Sequence, residues 1–282
     1  MSLATLDETM DEMRATTSTV DNALLMSFLN QSTARIHALS RQRFEPLIKV
    51  EYCPIRMDLI DTALRVYRLP KYATSLSAVT VYNTALTVGT HVRAWPSGTT
   101  QAFTDIQLIA TDGDWYGTYY DSAYDPLIQV TAHWSYHSDL PAAWQKEDDV
   151  LNAGGIAAGA TSIPGADADG TNWRGLTPRF SPGNLIRIDS EYLRVTAVNT
   201  TTNALTVSRG QNGSTAAAHA INADIYVWYP EDRIVRMNAR HAALLYKRRG
   251  AFEGRPGIEG GAGFPADLES EMLAVLEEFA YV

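Results

Sequence analysis

Through residues 185 to 219, apolar side chains alternate with polar ones at Ile186, Ile188, Leu193 and Val195, pause at Asp189-Ser190, and resume at Leu205 and Val207. A period of two residues is that of half-buried strands, and Asp-Ser between such runs is turn chemistry. The stretch therefore predicts a small module of β-hairpins. A second strand region spans Ile48 to Tyr136, carried by Ala63–Leu69, Ser77–Tyr82 and Leu127–Tyr136 and punctuated at Gly89, Pro96-Ser97-Gly98 and Asp112-Gly113. Helical spacing appears toward both ends. Over residues 18 to 41, Leu25, Leu29, Ile36 and Leu39 form an apolar stripe that Leu24 and Phe28 widen, and Ser18-Thr19-Val20-Asp21 has the form of a capping box. A shorter helix is expected around Leu6, Met10 and Met13. After Pro230 a helix resumes, with Glu231 and Asp232 in its first turn and Lys247, Arg248 and Arg249 in its last, as the helix dipole favours, and with Gly250 as its stop. Five glycines between residues 254 and 263 then lead to a final amphipathic helix with Leu268, Met272, Val275, Leu276 and Phe279 on one face.

This order predicts an α+β fold: a helical body with β hairpins and an inserted small all-β domain. The body takes residues 1–151 and 227–282, and the insert takes 152–226. A chain of 282 residues is long enough for two cores. Its 45% hydrophobic and 20% charged content is that of a globular protein. The first thirteen residues carry Asp7, Glu8, Asp11 and Glu12 and no Lys or Arg, unlike a secretory leader, and no apolar run is long enough to span a bilayer. One cysteine, Cys53, allows neither an intrachain disulfide nor a Cys-based zinc site, which fits a reducing compartment. A net charge of −9 argues against general nucleic-acid binding, because gripping phosphates needs a cationic surface.

No local signature of a hydrolase, metalloprotease or nucleotide enzyme is present, and we expect no catalytic residue, cofactor or metal. His133 and His137 are four apart on a strand, about 13 Å, too far to share a metal. Asp167-Ala168-Asp169-Gly170-Thr171-Asn172 has the look of a calcium loop but lacks a distal bidentate Glu, and reads as a turn. Glu191, Arg209 and His219 read as hydrogen bonds and an ion pair that pin strands, with Glu191–Arg209 as the structural pair. The aromatics of Asp114–Tyr120 and Tyr124 suit either a subunit contact, which we prefer, or sugar stacking. Arg233, Arg236, Arg240 and Lys247 share one helical face, either solvated or facing an acidic partner surface. The acidic C-terminal segment, with Glu277 and Glu278, is a candidate partner for it.

The hairpin module resembles a cassette recurrent in structural proteins of tailed bacteriophages, through Glu191, Tyr192, Val195, Thr206, Val207, Arg209, Gly210, Gln211, Gly213, Ser214, Ala216 and His219. The rest of the chain resembles the adaptor, or head-to-tail connector, proteins of those phages. The matching fragments are Arg41, Arg43, Phe44, Glu45 and Pro46, then Val79–Tyr82, Ile128–Tyr136, Asp139–Ala143 and Tyr246–Arg249, in that order. The resemblance implies a non-enzymatic subunit of a homo-oligomeric ring, commonly of twelve copies, in the virion neck. The ring docks under the portal, extends the channel for double-stranded DNA without specific binding, and receives the next connector or tail component. The insert is larger than such adaptors usually carry. On this reading Leu268, Met272, Leu276 and Phe279, with the basic stripe Arg233, Arg236, Arg240 and Lys247, face the portal or a neighbouring subunit. The alternative is a carbohydrate- or receptor-binding β module of a virion protein.

Overall fold

The computed structural model describes residues 2–14, 20–54, 57–81, 84–98, 100–109, 127–150, 155–252 and 266–279. Strand outweighs helix, 37% to 26%, which corrects the expected α+β fold with its helical body. The protein is mostly β: two antiparallel sheets, of seven and six strands, and five α-helices among the described residues. After Asp139 the chain makes a single helical turn at Leu140–Ala143 (α3) and then a strand that the sequence reading did not count.

The chain divides into two compact units, Met1–Phe44 with Ala142–Ala280, and Glu45–Pro141. The helices therefore belong with the cassette, and the strand region between them is the other unit. Boundaries at 152 and 226 both fall inside the first unit, the second of them within a strand, Asp224–Trp228.

In the unit 45–141 the strands are β1 (Leu47–Pro54), β2 (Ile60–Asp61), β3 (Val66–Val81), β4 (Thr84–Leu86), β5 (Val92–Trp95), β6 (Phe103–Leu108) and β7 (Leu127–Trp134). The sheet runs β1-β7-β3-β6-β5, with β2 and β4 also paired to β3. Strand β7 shows why it forms: Ile128, Val130, Ala132 and Trp134 are all buried, and the residues between them point the other way. They pack with Tyr67, Leu69, Val79, Phe103 and Ile106 in one core.

In the other unit the strands are β8 (Trp144–Asp149), β9 (Ser162–Pro164), β10 (Leu185–Ile188), β11 (Glu191–Asn199), β12 (Ala204–Ser208) and β13 (Asp224–Trp228), in the order β8-β13-β10-β11-β12-β9. Ile186, Ile188, Leu193, Val195, Leu205 and Val207, the alternating positions of the sequence, share one core. On the opposite face Trp144, Tyr192 and Trp228 cluster, and Trp228 Nε1 donates to Phe44 O at 2.8 Å.

Helix α1 (Leu6–Met13) begins at a capping box of Thr5 and Glu8, and α2 (Asn22–Ser40) at Asp21, whose carboxylate accepts the Leu24 N–H at 3.0 Å. Residues 18 and 19 of the expected box lie outside the described residues. Leu25, Leu29 and Ile36 are buried. Helix α4 (Asp232–Phe252) runs through Gly250 instead of stopping there; one interior glycine costs only about 1 kcal/mol. Helix α5 (Ala266–Phe279) packs on α2 and α4. Met272 and Leu276 are buried, and the Phe279 ring meets Phe44 edge-on at 5.7 Å. Within the chain, α2 and α4 thus cover Met272 and Leu276 of the face expected to meet the portal or a neighbour. The Leu268 side chain and the glycine-rich segment lie outside what the structure describes.

The segment preceding α1 is strapped to this unit by polar contacts. Asn238 Oδ1 accepts the Ala4 N–H at 2.9 Å, while its Nδ2 donates to Leu29 O at 3.3 Å and Thr33 Oγ1 at 3.1 Å. Thr33 Oγ1 also accepts the Leu3 N–H at 3.1 Å. Leu6 N donates to Pro182 O at 3.2 Å, and Arg194 Nη1 to Ser2 O at 3.3 Å, so the strap joins helices and cassette. Asn238→Ala leaves a buried N–H and a buried carbonyl without their partner and should cost about 2–3 kcal/mol, read as a lowered midpoint in urea at unchanged slope.

Candidate interaction surface and its buried brace

The cassette's charged residues meet at one point. Glu191 opens β11 directly after the Asp189-Ser190 turn, where Asp189 takes a left-handed φ of 53°. Its side chain is fully buried, and Arg209 grips it bidentately, Nε to Oε1 and Nη2 to Oε2, both at 2.7 Å. Gly210, at φ 58°, aims its N–H at Oε1 (2.9 Å), and the Ala217 N–H reaches Oε2 (2.9 Å). His219 completes the set, with Nε2 2.9 Å from Glu191 Oε2 and Nδ1 2.7 Å from Asp189 Oδ2. Arg209 spends its other N–H groups on Ala157 O and Ala160 O, both at 2.9 Å, and on Ala217 O. A guanidinium has five donors, and all five are committed, so none is left to hold a ligand. The arrangement fixes the 155–160 and 209–219 segments against β11. Burial by itself would raise the Glu191 pKa, but Arg209, the two backbone N–H groups and His219 hold it down at about 2.

A second feature of this unit, held by other contacts, is the loop at residues 172–176. Asn172 Oδ1 accepts the N–H groups of Arg174 and Leu176, both at 2.9 Å, closing a tight turn. The turn is tied to the unit at two points. Glu147 Oε1, from β8, accepts the Trp173 N–H at 2.9 Å and the Tyr229 hydroxyl at 2.5 Å; burial and this bond both raise the Tyr229 pKa. Arg174 lies over the Tyr229 ring at 4.8 Å, donates to Pro230 O at 3.2 Å, and pairs with Asp232 and, at 3.7 Å, with Glu8. So braced, the loop holds a Trp173 that is 56% exposed, with exposed Leu176 beside it. Next to Arg174 opens a groove of about 370 Å³ between α1 and α4, with Glu8, Asp11, Glu12, Asp232 and Arg236 on its walls and Val235 and Ala239 as its apolar part.

The expected basic stripe is largely engaged within the chain. Arg233 pairs bidentately with Glu278 of α5, Arg236 lies 3.4 Å from Glu12 of α1, and Arg240 is half-buried and also engaged. Lys247 is exposed in the last turn of α4. Exposed pairs of this kind add little stability, so they set charge pattern more than strength. The aromatic segment 114–124 lies outside the described residues. His133 sits on β7, and His137 is buried past its end, its Nδ1 accepting the Asp139 N–H at 2.9 Å. Asp167 Oδ2 accepts from Arg179 Nη2 at 2.7 Å. Among the described residues no group of three or more His, Cys, Asp or Glu is placed to hold a metal, and no helix is long and apolar enough to cross a membrane.

Sequence reasoning read Asp189 as a turn residue without its bond to His219, and missed Glu147 and the Trp173 loop. The loop had a local signal, Asn172 and Gly175 flanking Trp-Arg, which is turn chemistry around an aromatic. Glu147 had none, since its role rests on partners 26 and 82 residues away. No family model matches the chain, and no curated protein matches it in sequence.

Arg209→Ala would leave a buried, unpaired carboxylate and should destabilise by about 3–5 kcal/mol in chemical denaturation. Because the folded pKa of Glu191 lies below its unfolded value, its contribution is complete above about pH 4.5 and is lost as pH falls through about 2. That span corresponds to about 3 kcal/mol. Denaturation midpoints measured from pH 6 to pH 2 should fall in this window, and Glu191→Gln should flatten the fall.

Proposed function

We propose that the chain is a structural subunit of a tailed-phage head-to-tail connector, assembling as a ring beneath the portal, extending the DNA channel and receiving the next neck or tail component. The observation that carries this reading is the cassette itself: its shared charged residues are spent on an internal brace, while in the same unit a separate loop, fixed by Glu147 and Arg174, exposes Trp173 and Leu176. A tryptophan held rigid at a surface is the chemistry of an assembly contact, where buried aromatics dominate binding energy. The order of connector-like fragments along the chain supplies the particular class. The net charge of −9 fits a channel wall past which the phosphate backbone slides without being gripped. A ring of twelve 31.0-kDa chains would have a mass of about 370 kDa and belong to the virion neck.

The test is co-sedimentation of purified protein with portal-containing heads, scored beside the native mass of the free protein. Wild type should bind, and Trp173→Ala should weaken binding by about 2 kcal/mol, roughly thirty-fold, at unchanged thermal stability. Full retention of binding by Trp173→Ala together with Leu176→Ala would remove the loop from the interface. Absence of binding by wild type would remove the connector reading.

A further inference from the structure

Strand β1 is an edge of its sheet and pairs only with β7 among the described strands. An open edge of eight residues offers a row of backbone donors and acceptors to another strand, and natural edges are usually shortened, bulged or charged against it. Here Pro54 blocks one end, leaving Leu47–Cys53, seven residues centred on Val50. One side of the strand shows Ile48, Val50 and Tyr52, with Val50 38% and Tyr52 61% exposed; the other carries Lys49, Glu51 and buried Cys53.

The seven residues are self-complementary in one register. Antiparallel pairing about Val50 sets Lys49 opposite Glu51 of a second copy, twice, and Ile48 opposite Tyr52, twice. Opposite charges and aromatic–aliphatic pairs are the favourable cross-strand neighbours. Centring the pair on Lys49 instead would face two lysines, and centring on Glu51 would face two glutamates. Among the registers centred on Lys49, Val50 and Glu51, the charges of this edge thus favour the one centred on Val50. Within one chain Glu51 takes Lys49 at 3.1 Å and Lys71 at 3.0 Å, so it is already held in a cationic setting, ready to bridge to a further lysine.

We infer that two copies of this chain associate through their β1 edges, as an antiparallel two-fold contact centred on Val50 that joins their sheets into one. The contact is isologous, so it closes at two copies and is separate from any head-to-tail contact of a ring. It does not rest on the connector reading.

The test is a cysteine at the axis. Opposed residues of an antiparallel pair have Cα atoms about 4.5–5.5 Å apart, within disulfide reach. Val50→Cys in a Cys53→Ala background should oxidise to a covalent dimer, whereas Leu64→Cys, more exposed and elsewhere, should not. In sedimentation, Lys49→Glu and Glu51→Lys should each weaken self-association at least tenfold, and mixing the two variants should restore it, because the mixed pair regains both ion pairs. A folding defect could not be rescued by mixing. Wild-type protein that stays monomeric at about 0.1 mM, or Val50→Cys that cross-links no better than Leu64→Cys, overturns the proposal. Loss of head binding without change in this dimer would instead count only against the connector reading.

Discussion

The buried Glu191–Arg209 pair is the constraint around which the cassette is organised. A carboxylate taken wholly out of water is costly, and it is tolerated here because a guanidinium, two backbone N–H groups and an imidazole surround it. The backbone must then bend to deliver those groups, which is why Asp189 and Gly210 both adopt left-handed conformations beside it. The same guanidinium reaches two carbonyls of the 155–160 segment, so one side chain ties together three stretches of chain, two of which are also joined by the Ile156–His219 bridge.

The outward consequence is a division of labour within one unit. Polar residues that look reactive in the sequence face inward and hold shape, while the large side chain left exposed is an uncharged indole. Glu147 and Arg174 make that exposure possible by fixing the loop backbone and by packing on Tyr229, so Trp173 stands on a backbone with little conformational freedom. The groove beside it is acidic on balance, with two arginines already paired to its own carboxylates.

Local patterns were legible in the sequence where periodicity and burial coincide. Ile186 through Val207 read as hairpins because alternate residues enter one core, and Leu25, Leu29 and Ile36 read as a helix because one stripe is buried. The overall balance was not legible. Trp144–Asp149 has the composition of a charged loop, Gln-Lys-Glu-Asp-Asp, and is a strand only because β13 pairs with it. Nor could spacing reveal that α2 and α4 belong with the cassette, since that grouping depends on Asn238 meeting residues more than two hundred positions away. The apolar face of α5 was visible, but its cover was sought in another subunit because nothing local names α2 and Phe44 as its neighbours.

The strap ahead of α1 bears on the order in which the protein is made. Ala4 is held by Asn238, 234 residues later, so the first unit cannot close until nearly the whole chain has left the ribosome. The intervening 45–141 sheet has its partners within a hundred residues and can form while the remainder is still being synthesised. Until then α1 and α2 wait with their apolar faces open. During synthesis the exposure of Leu25 and Leu29 to chaperones thus lasts as long as translation of the two hundred residues that follow them.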